Sequence, residues 1–288
     1  MNKIFLIFLI FICVSFSQGF ANDTLVVVYT SNNLGSILDC GCGNENYGGF
    51  PRKKSAIDSL RKKFPNLILV DTGNFLTSYS GNFLDNEYIL RAYKLLEYDF
   101  ISPALFEGNN GEDYFVKRIS QEFNLVSANL VHTSVKPISI KMQKEIRALF
   151  TGLYEVRSLD DSIFALPHTQ PMESLKEMDK RIKNLANLKI LLCANGNELE
   201  EKYGLEWLNL NFDLVIGGNF VKPKNGILIG SNGTRYVECG YNGEFIGKVT
   251  IIKSGRGYNY KHELIKIDEK IPDDKMMLRL MREYKRKR

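Results

Sequence analysis

Short apolar runs alternate with amphipathic stretches along most of the chain. TLVVVYT (24–30), NLILVDT (66–72), DFISPA (99–104), NLVSANL (124–130), LKILLCA (188–194) and FDLVIGG (212–218) have the length and β-branched content of buried strands. Between them, Pro51 to Phe64, Asn86 to Glu97, Gly111 to Phe123 and Met172 to Ala186 carry helical spacing. Strand, helix and strand in succession predict an α/β fold, a β-sheet core flanked by helices. After Gly226 the pattern changes to strands only: GILIGS, TRYVECG, FIGKVTII and NYKHELIKI, parted by Asn-Gly and Gly-rich turns. The chain is therefore expected to end in antiparallel strands.

With no repeat, low-complexity tract or Pro-rich linker, the simplest parse is one domain from residue 23 to about 270 and a basic tail at 271–288. Ligands of open α/β sheets sit where loops leave the carboxyl ends of strands. Those loops begin at Ser31, Gly73, Ala104, Asn129, Cys193 and Gly217, and chemistry is to be sought there.

The first 21 residues change the expected compartment. Lys3, the run IFLIFLIFICVSF and then Gly19-Phe20-Ala21 fit the basic, apolar and small-residue regions of a secretory signal. The rival reading, an uncleaved anchor, needs about 20 apolar residues, and this run is shorter. Cys13 follows Ile12, a poor context for lipid attachment. Export to the periplasm or the exterior is expected, with cleavage leaving Cys40, Cys42, Cys193 and Cys239 where disulfides persist. Spacing does not set their connectivity, and Cys40-Gly41-Cys42 is too strained to close on itself.

The 288 residues are 44% hydrophobic and 25% charged, which excludes general disorder, and a net charge of +5 is weak support for a polyanionic partner. The basic excess gathers in Arg279, Arg282 and Lys285 to Arg288. A solvated, frayed end is expected there; membrane contact is the rival reading, and the lack of interleaved aromatics argues against nucleic acid.

In order and spacing, the six strand ends resemble the N-terminal domain of the 5′-nucleotidase branch of the calcineurin-like metallophosphoesterases. VVVYTSNNLGSIL is similar to that family's opening strand and His-Thr-Asn-Asp-x-His-Gly loop, and GGFPRKKSAIDSLRKKFPNLILVDTGNFL to its Gly-Gly, Arg-rich helix and Asp-x-Gly-Asp segment. YDFISPALFEGNNGEDYF stands in place of Gly-Asn-His-Glu, NLVSANL matches a Ser-Ala-Asn strand, ILLCANG a strand ending in His, and FDLVIGGNFV the Asp-x-Ile-x-Gly-Gly-His-x-His segment. GSNGTRYVECGYNGEFIGKVTI is similar to the closing strands. The resemblance implies a four-layer sandwich with two divalent cations at the strand ends. It implies Asp and His ligands from the first loop, a bridging Asp from the second, Asn from the third and three later His, with a third-loop His transferring a proton.

At the metal-ligand positions this chain has Asn32, Leu34, Asn74, Leu105, Asn195, Asn219 and Val221, and Phe106 at the acid-base position. Neutral amides do not supply the negative charge that holds two cations together, and Leu or Phe offers no lone pair. No catalytic residue and no cofactor is therefore expected, and the resemblance points to an inactive scaffold with a binding or accessory role toward an unknown exported or envelope partner. Two rivals stay open. One is a metal-dependent phosphoester hydrolase with an atypical site drawn from Cys40, Cys42, Cys193, His132 or Glu107. The other is a thiol-based metal-binding or redox protein using Cys40, Cys42 and Cys193, which would share one rim; structural disulfides are the plainer use of those thiols.

Other polar residues have plain readings. His132 and His168 fall in loops and His262 on a closing strand, facing solvent. Asp39, Asp71, Glu107 and Asp113 lie near the rim, with Asp71 structural by resemblance. Arg52, Lys53 and Lys54 open a helix where they either meet an anion or face water.

Overall fold

The computed structural model describes residues 23–40, 47–155, 165–196, 210–219, 222–223 and 225–288. The expected signal segment lies outside them. The strands run β1 (Thr24–Thr30), β2 (Asp39–Cys40), β3 (Tyr47–Gly48), β4 (Ile68–Asp71), β5 (Phe100–Ile101), β6 (Leu125–Val126), β7 (Val135–Lys136), β8 (Ser139–Gln143), β9 (Ile146–Leu153), β10 (Leu188–Cys193), β11 (Leu214–Gly217), β12 (Leu228–Ile229), β13 (Arg235–Glu238), β14 (Phe245–Ser254) and β15 (Gly257–Lys266). The helices are α1 (Phe50–Lys63), α2 (Phe83–Leu96), the short α3 (Leu105–Gly108) and α4 (Glu112–Tyr114), α5 (Pro171–Ile182) and α6 (Lys275–Lys287).

Two sheets stack face to face. The first has the order β15-β14-β1-β4-β5-β6-β7 and the second β12-β13-β11-β10-β9-β8, with β2 and β3 pairing apart. β1, β4, β5, β6 and β7 are parallel, and β14 closes antiparallel on β1. In the second sheet β9, β10, β11 and β13 are parallel, with antiparallel β8 and β12 at the edges.

Alternation along β1 shows why its sequence is almost uninterrupted apolar. Val26 and Val28 face α1, α2 and α6, while Leu25, Val27 and Tyr29 face the second sheet. A strand covered on both sides has no polar face. The outer face of the second sheet, with Leu149, Leu153, Leu191 and Val215, packs on Met172, Leu175, Met178 and Ile182 of α5. The result is the expected α/β sandwich of helix, sheet, sheet and helix.

The structure adds elements that apolar runs do not mark. β7, β8 and β9 fill a stretch where Arg147, Thr151 and Gly152 interrupt the hydrophobic pattern, yet β9 is paired on both sides, between β8 and β10, and nearly wholly buried. The helix expected over Gly111 to Phe123 is one turn of α4 followed by a π-helical Phe115–Ser120. The tail expected to fray is α6: Asp274 caps it by accepting from the Met277 amide at 2.7 Å, and Met277, Leu280, Met281 and Tyr284 are buried against the helical layer. Arg91 of α2 forms a two-pronged pair with Glu283, at 2.9 and 2.8 Å.

Candidate functional site at the strand ends

Register brings the searched-for loops to one rim. Thr30 pairs with Asp71 at the ends of β1 and β4, and Cys193 with Gly217 at the ends of β10 and β11. The two sheets close on each other there: a Cβ on Gly218 would lie 2.0 Å from Ser31 Oγ and 2.3 Å from the Ala194 carbonyl oxygen, so only glycine fits. The first two loops carry left-handed backbone at Asn32 (φ 45), Leu34 (φ 51) and Asn74 (φ 54). Asparagine adopts this region readily, and leucine only at a cost of about 1 kcal/mol. The loops hold each other in it: the Asn32 amide donates to the Gly73 carbonyl at 3.0 Å and the Leu34 amide to the Asn74 carbonyl at 2.9 Å.

Four asparagines converge at the rim, all buried. Asn74 Nδ2 donates to Asn32 Oδ1 at 3.0 Å and reaches Asn195 Oδ1 at 3.4 Å. Asn32 Nδ2 donates to the Ala194 carbonyl at 2.9 Å, with the Asn219 carbonyl at 3.5 Å. Asn219 Nδ2 in turn donates to Glu238 Oε2 at 3.1 Å, and Tyr236 Oη donates to the same oxygen. Asn74 Oδ1 accepts from the Phe106 amide at 3.2 Å. Leu105 is buried beside them, and Leu34 and Phe106 are half-buried. Val221 and Cys42 lie outside the described residues, as does the side chain of Cys40.

Glu107 anchors this rim from below. Its Oε2 accepts from the amides of Asn74 (2.9 Å) and Ala104 (2.8 Å), and its Oε1 from those of Phe75 (2.8 Å) and Leu76 (3.2 Å). Burial pushes this carboxyl up to about 7, against the pull of the amide donors. Asp71 is equally buried: Oδ2 accepts from Thr30 Oγ1 and Tyr93 Oη, and Oδ1 from the Gly73 amide. Burial raises it to about 6, opposed by these bonds and by the Lys53 charge. Lys53, 1% exposed, donates to Asn33 Oδ1 at 2.6 Å and lies 5.0 Å from the Phe50 ring centroid. Burial lowers it to about 8, with the Asp71 charge opposing.

Other expected residues scatter. Cys193 ends β10 but its side chain packs in the layer under α5, and Cys239 is buried between the sheets, where burial pushes its thiol up. His132 packs edge-on to Phe115, and His168 bonds through Nδ1 to the Leu166 carbonyl. His262 is not solvent-facing as its alternation suggests: its Nε2 is 2.7 Å from Tyr29 Oη and it is half-buried, because the Tyr29 ring lies across Gly247 of β14 and reaches β15. Arg52 lies between Asp39 (3.6 Å) and Asp273 (3.8 Å), Lys54 pairs with Asp58, and Asp113 with Lys117. Of the three helix-start cations Lys53 alone is buried; Phe50, Lys53 and Ile57 share helical phase, a signal already present in the sequence. Thr30, Tyr93, Tyr98 and Glu238 carry no such signal. Among the described residues no three His, Cys, Asp or Glu side chains converge to hold a metal ion.

No family model matches this sequence, and no curated protein does. Solved structures do. The 5′-nucleotidase precursor from Thermus thermophilus superposes with a TM-score of 0.75 at 15% identity, over 91% of this chain and 58% of that one. The sulfate thiohydrolase from the same organism gives 0.77 at 14%, over 93% and 61%. A calcineurin-like phosphoesterase from Bacillus subtilis gives 0.68 at 16%, over 92% and 98%. The chain spans about three fifths of the length of the first two. Layer order, parallel strand ends meeting at one rim and these superpositions together show that the chain has the calcineurin-like metallophosphoesterase fold, as it occurs in 5′-nucleotidase structures.

Proposed function

We propose that this chain is an exported binding or accessory protein on a metallophosphoesterase scaffold, and that its rim catalyses no phosphoester hydrolysis. The observation that carries the reading is the amide network. At the positions where the resemblance implies cation ligands, Asn74 Nδ2 donates to Asn32 Oδ1 and reaches Asn195 Oδ1, and Asn32 Nδ2 donates to the Ala194 carbonyl. A pair of dications at one rim repels strongly and needs anionic, preferably bridging, oxygen ligands. This donor set does not fit such a pair: Nδ2 hydrogens project among the loops, and Leu105 fills former polar space. The nearby carboxylates are already committed, Asp71 and Glu107 to hydroxyls and amides.

The hydrolase and thiol readings lack comparable support. Solved neighbours are described as nucleotidase, thiohydrolase and phosphoesterase, but their activities would need ligands this rim does not offer. Of the thiol site's Cys40, Cys42 and Cys193, the first two have side chains outside the described residues, and Cys193 is buried in the layer under α5. Export rests on the pattern of residues 1–21.

The test is metal content and turnover on the same sample. Protein incubated with Mn²⁺ or Zn²⁺ and then desalted should retain less than stoichiometric metal and leave p-nitrophenyl phosphate and a 5′-nucleotide intact. Two retained equivalents with chelator-sensitive turnover would overturn the proposal.

A further inference from the structure

Helix α6 has two faces with different employment. Met277, Leu280, Met281 and Tyr284 point into the helical layer, and the opposite arc carries Lys275, Arg279, Arg282, Lys285 and Arg286, all exposed. At 100° per residue these five lie within about a third of the helix circumference. The acidic groups around the arc are engaged elsewhere: Glu283 with Arg91 and Lys287; Asp39 and Asp273, which line one depression with Arg282 and Lys285, with Arg52; Asp85 with Tyr284; and Asp274 with the helix cap. Among the described residues no carboxylate forms an ion pair with any of the five. An open depression of about 430 Å³ is lined by Arg279, Arg282, Lys285 and Arg286 alone, and a second, of about 640 Å³, sets Arg279 and Arg286 beside Arg91 and Lys94 of α2.

We propose that the outer face of α6 docks on an anionic lipid surface. Charge complementarity is the first argument: five cations without an ion-pair partner among the described residues, spread along one helix face over open, shallow depressions, form a broad positive surface larger than a site for one small ion. Apolar groups at the margin are the second. Met276 is 57% exposed at the start of α6, and the Tyr284–Asp85 bond sets the exposed Phe83 and Leu84 beside its end. Such side chains suit insertion at a headgroup boundary, whereas a single-stranded nucleic acid asks for aromatics interleaved with the cations. Because the buried face of α6 holds the helix on the domain, docking orients the whole domain, with α6 parallel to the lipid surface.

Flotation of the full chain with phosphatidylcholine vesicles, with and without phosphatidylglycerol, tests this. Only the increment due to the anionic lipid is read, so attraction of the apolar N-terminal run to both vesicle types cancels. The wild-type chain should prefer anionic vesicles and lose that preference in high salt. Each neutralised cation should weaken it about fivefold, so Arg279→Gln with Arg282→Gln should cost about 25-fold. Arg279→Lys with Arg282→Lys should retain it. The substituted positions are exposed, and unchanged melting confirms folding. Equal binding to both vesicles by the wild type, or a preference that survives the Gln pair, overturns the proposal. So does binding of a single-stranded oligonucleotide that needs Arg279 and Arg282 while vesicles show no preference.

Discussion

Replacing Asn74 by aspartate changes one atom group in the middle of the amide network. Asn74 is fully buried, its Nδ2 donates to Asn32 Oδ1 at 3.0 Å and reaches Asn195 Oδ1 at 3.4 Å, and its own amide rests on Glu107. A carboxylate removes both donated bonds, sets oxygen against two acceptor oxygens and adds negative charge beside another carboxylate. Two buried acceptors left unmet cost about 1–2 kcal/mol each, and burial of the charge brings the total to about 3–5 kcal/mol. Backbone strain does not contribute, since aspartate tolerates the left-handed φ of 54 as asparagine does. Urea unfolding followed by far-ultraviolet circular dichroism at neutral pH measures the loss. Acidification should narrow it, because the introduced carboxyl, once protonated, donates one bond again. A variant within about 1 kcal/mol of wild type would refute the network's structural role. Stabilisation of the wild-type protein, with Asn74 in place, by Mn²⁺ or Zn²⁺ would refute the claim that this rim cannot accept a cation.

Glu107→Gln should cost about 2–5 kcal/mol by the same assay, because an amide nitrogen then faces two of the four backbone donors that the carboxylate serves. The buried titratable groups set an unusual stability profile. Folding raises Glu107 from 4.5 to about 7 and Asp71 from 3.8 to about 6, so the native state binds more protons than the unfolded chain and stability should fall as pH rises from about 4 to 7. Folding lowers Lys53 from 10.5 to about 8, so the unfolded chain binds more protons there and stability should rise again between pH 8 and 10.5. Denaturant midpoints across pH should therefore pass through a minimum near pH 7–8. The alkaline limb should vanish in Lys53→Met; a flat profile would contradict the burial of these groups. Leu280→Ala, at a position buried between α6 and its neighbours, should lower stability by about 2–4 kcal/mol, whereas a freely fraying tail would give no change.

How far the sequence anticipates the molecule depends on which forces fix each part. Runs such as TLVVVYT announce strands because a strand covered on both faces needs no polar position, and β1, β4, β10 and β11 fall where those runs are. β9 escapes this signal because its polar residues are accommodated individually: the Arg147 side chain is exposed, and Thr151 Oγ1 donates to the Pro137 carbonyl. The docking of α6 is legible in the spacing of Met277, Leu280, Met281 and Tyr284, but a run of basic residues conceals that stripe. At the rim, the resemblance gathers Asn32, Asn74, Asn195 and Asn219, while their mutual hydrogen bonds depend on register between strands far apart in sequence. The buried trio of Lys53, Asp71 and Glu107 is half visible: helical phase marks Lys53, but nothing local shows that four amides turn toward Glu107.

The missing side chain at Gly218 has a mechanical consequence. With Ser31 and Ala194 pressed against its backbone and the Asn32 amide reaching across to the second sheet, the two halves of the sandwich are pinned at one end like covers at a spine. Neither half can peel away without tearing contacts in the other, so the pair should melt as one unit, and any enlargement at residue 218 should loosen both together.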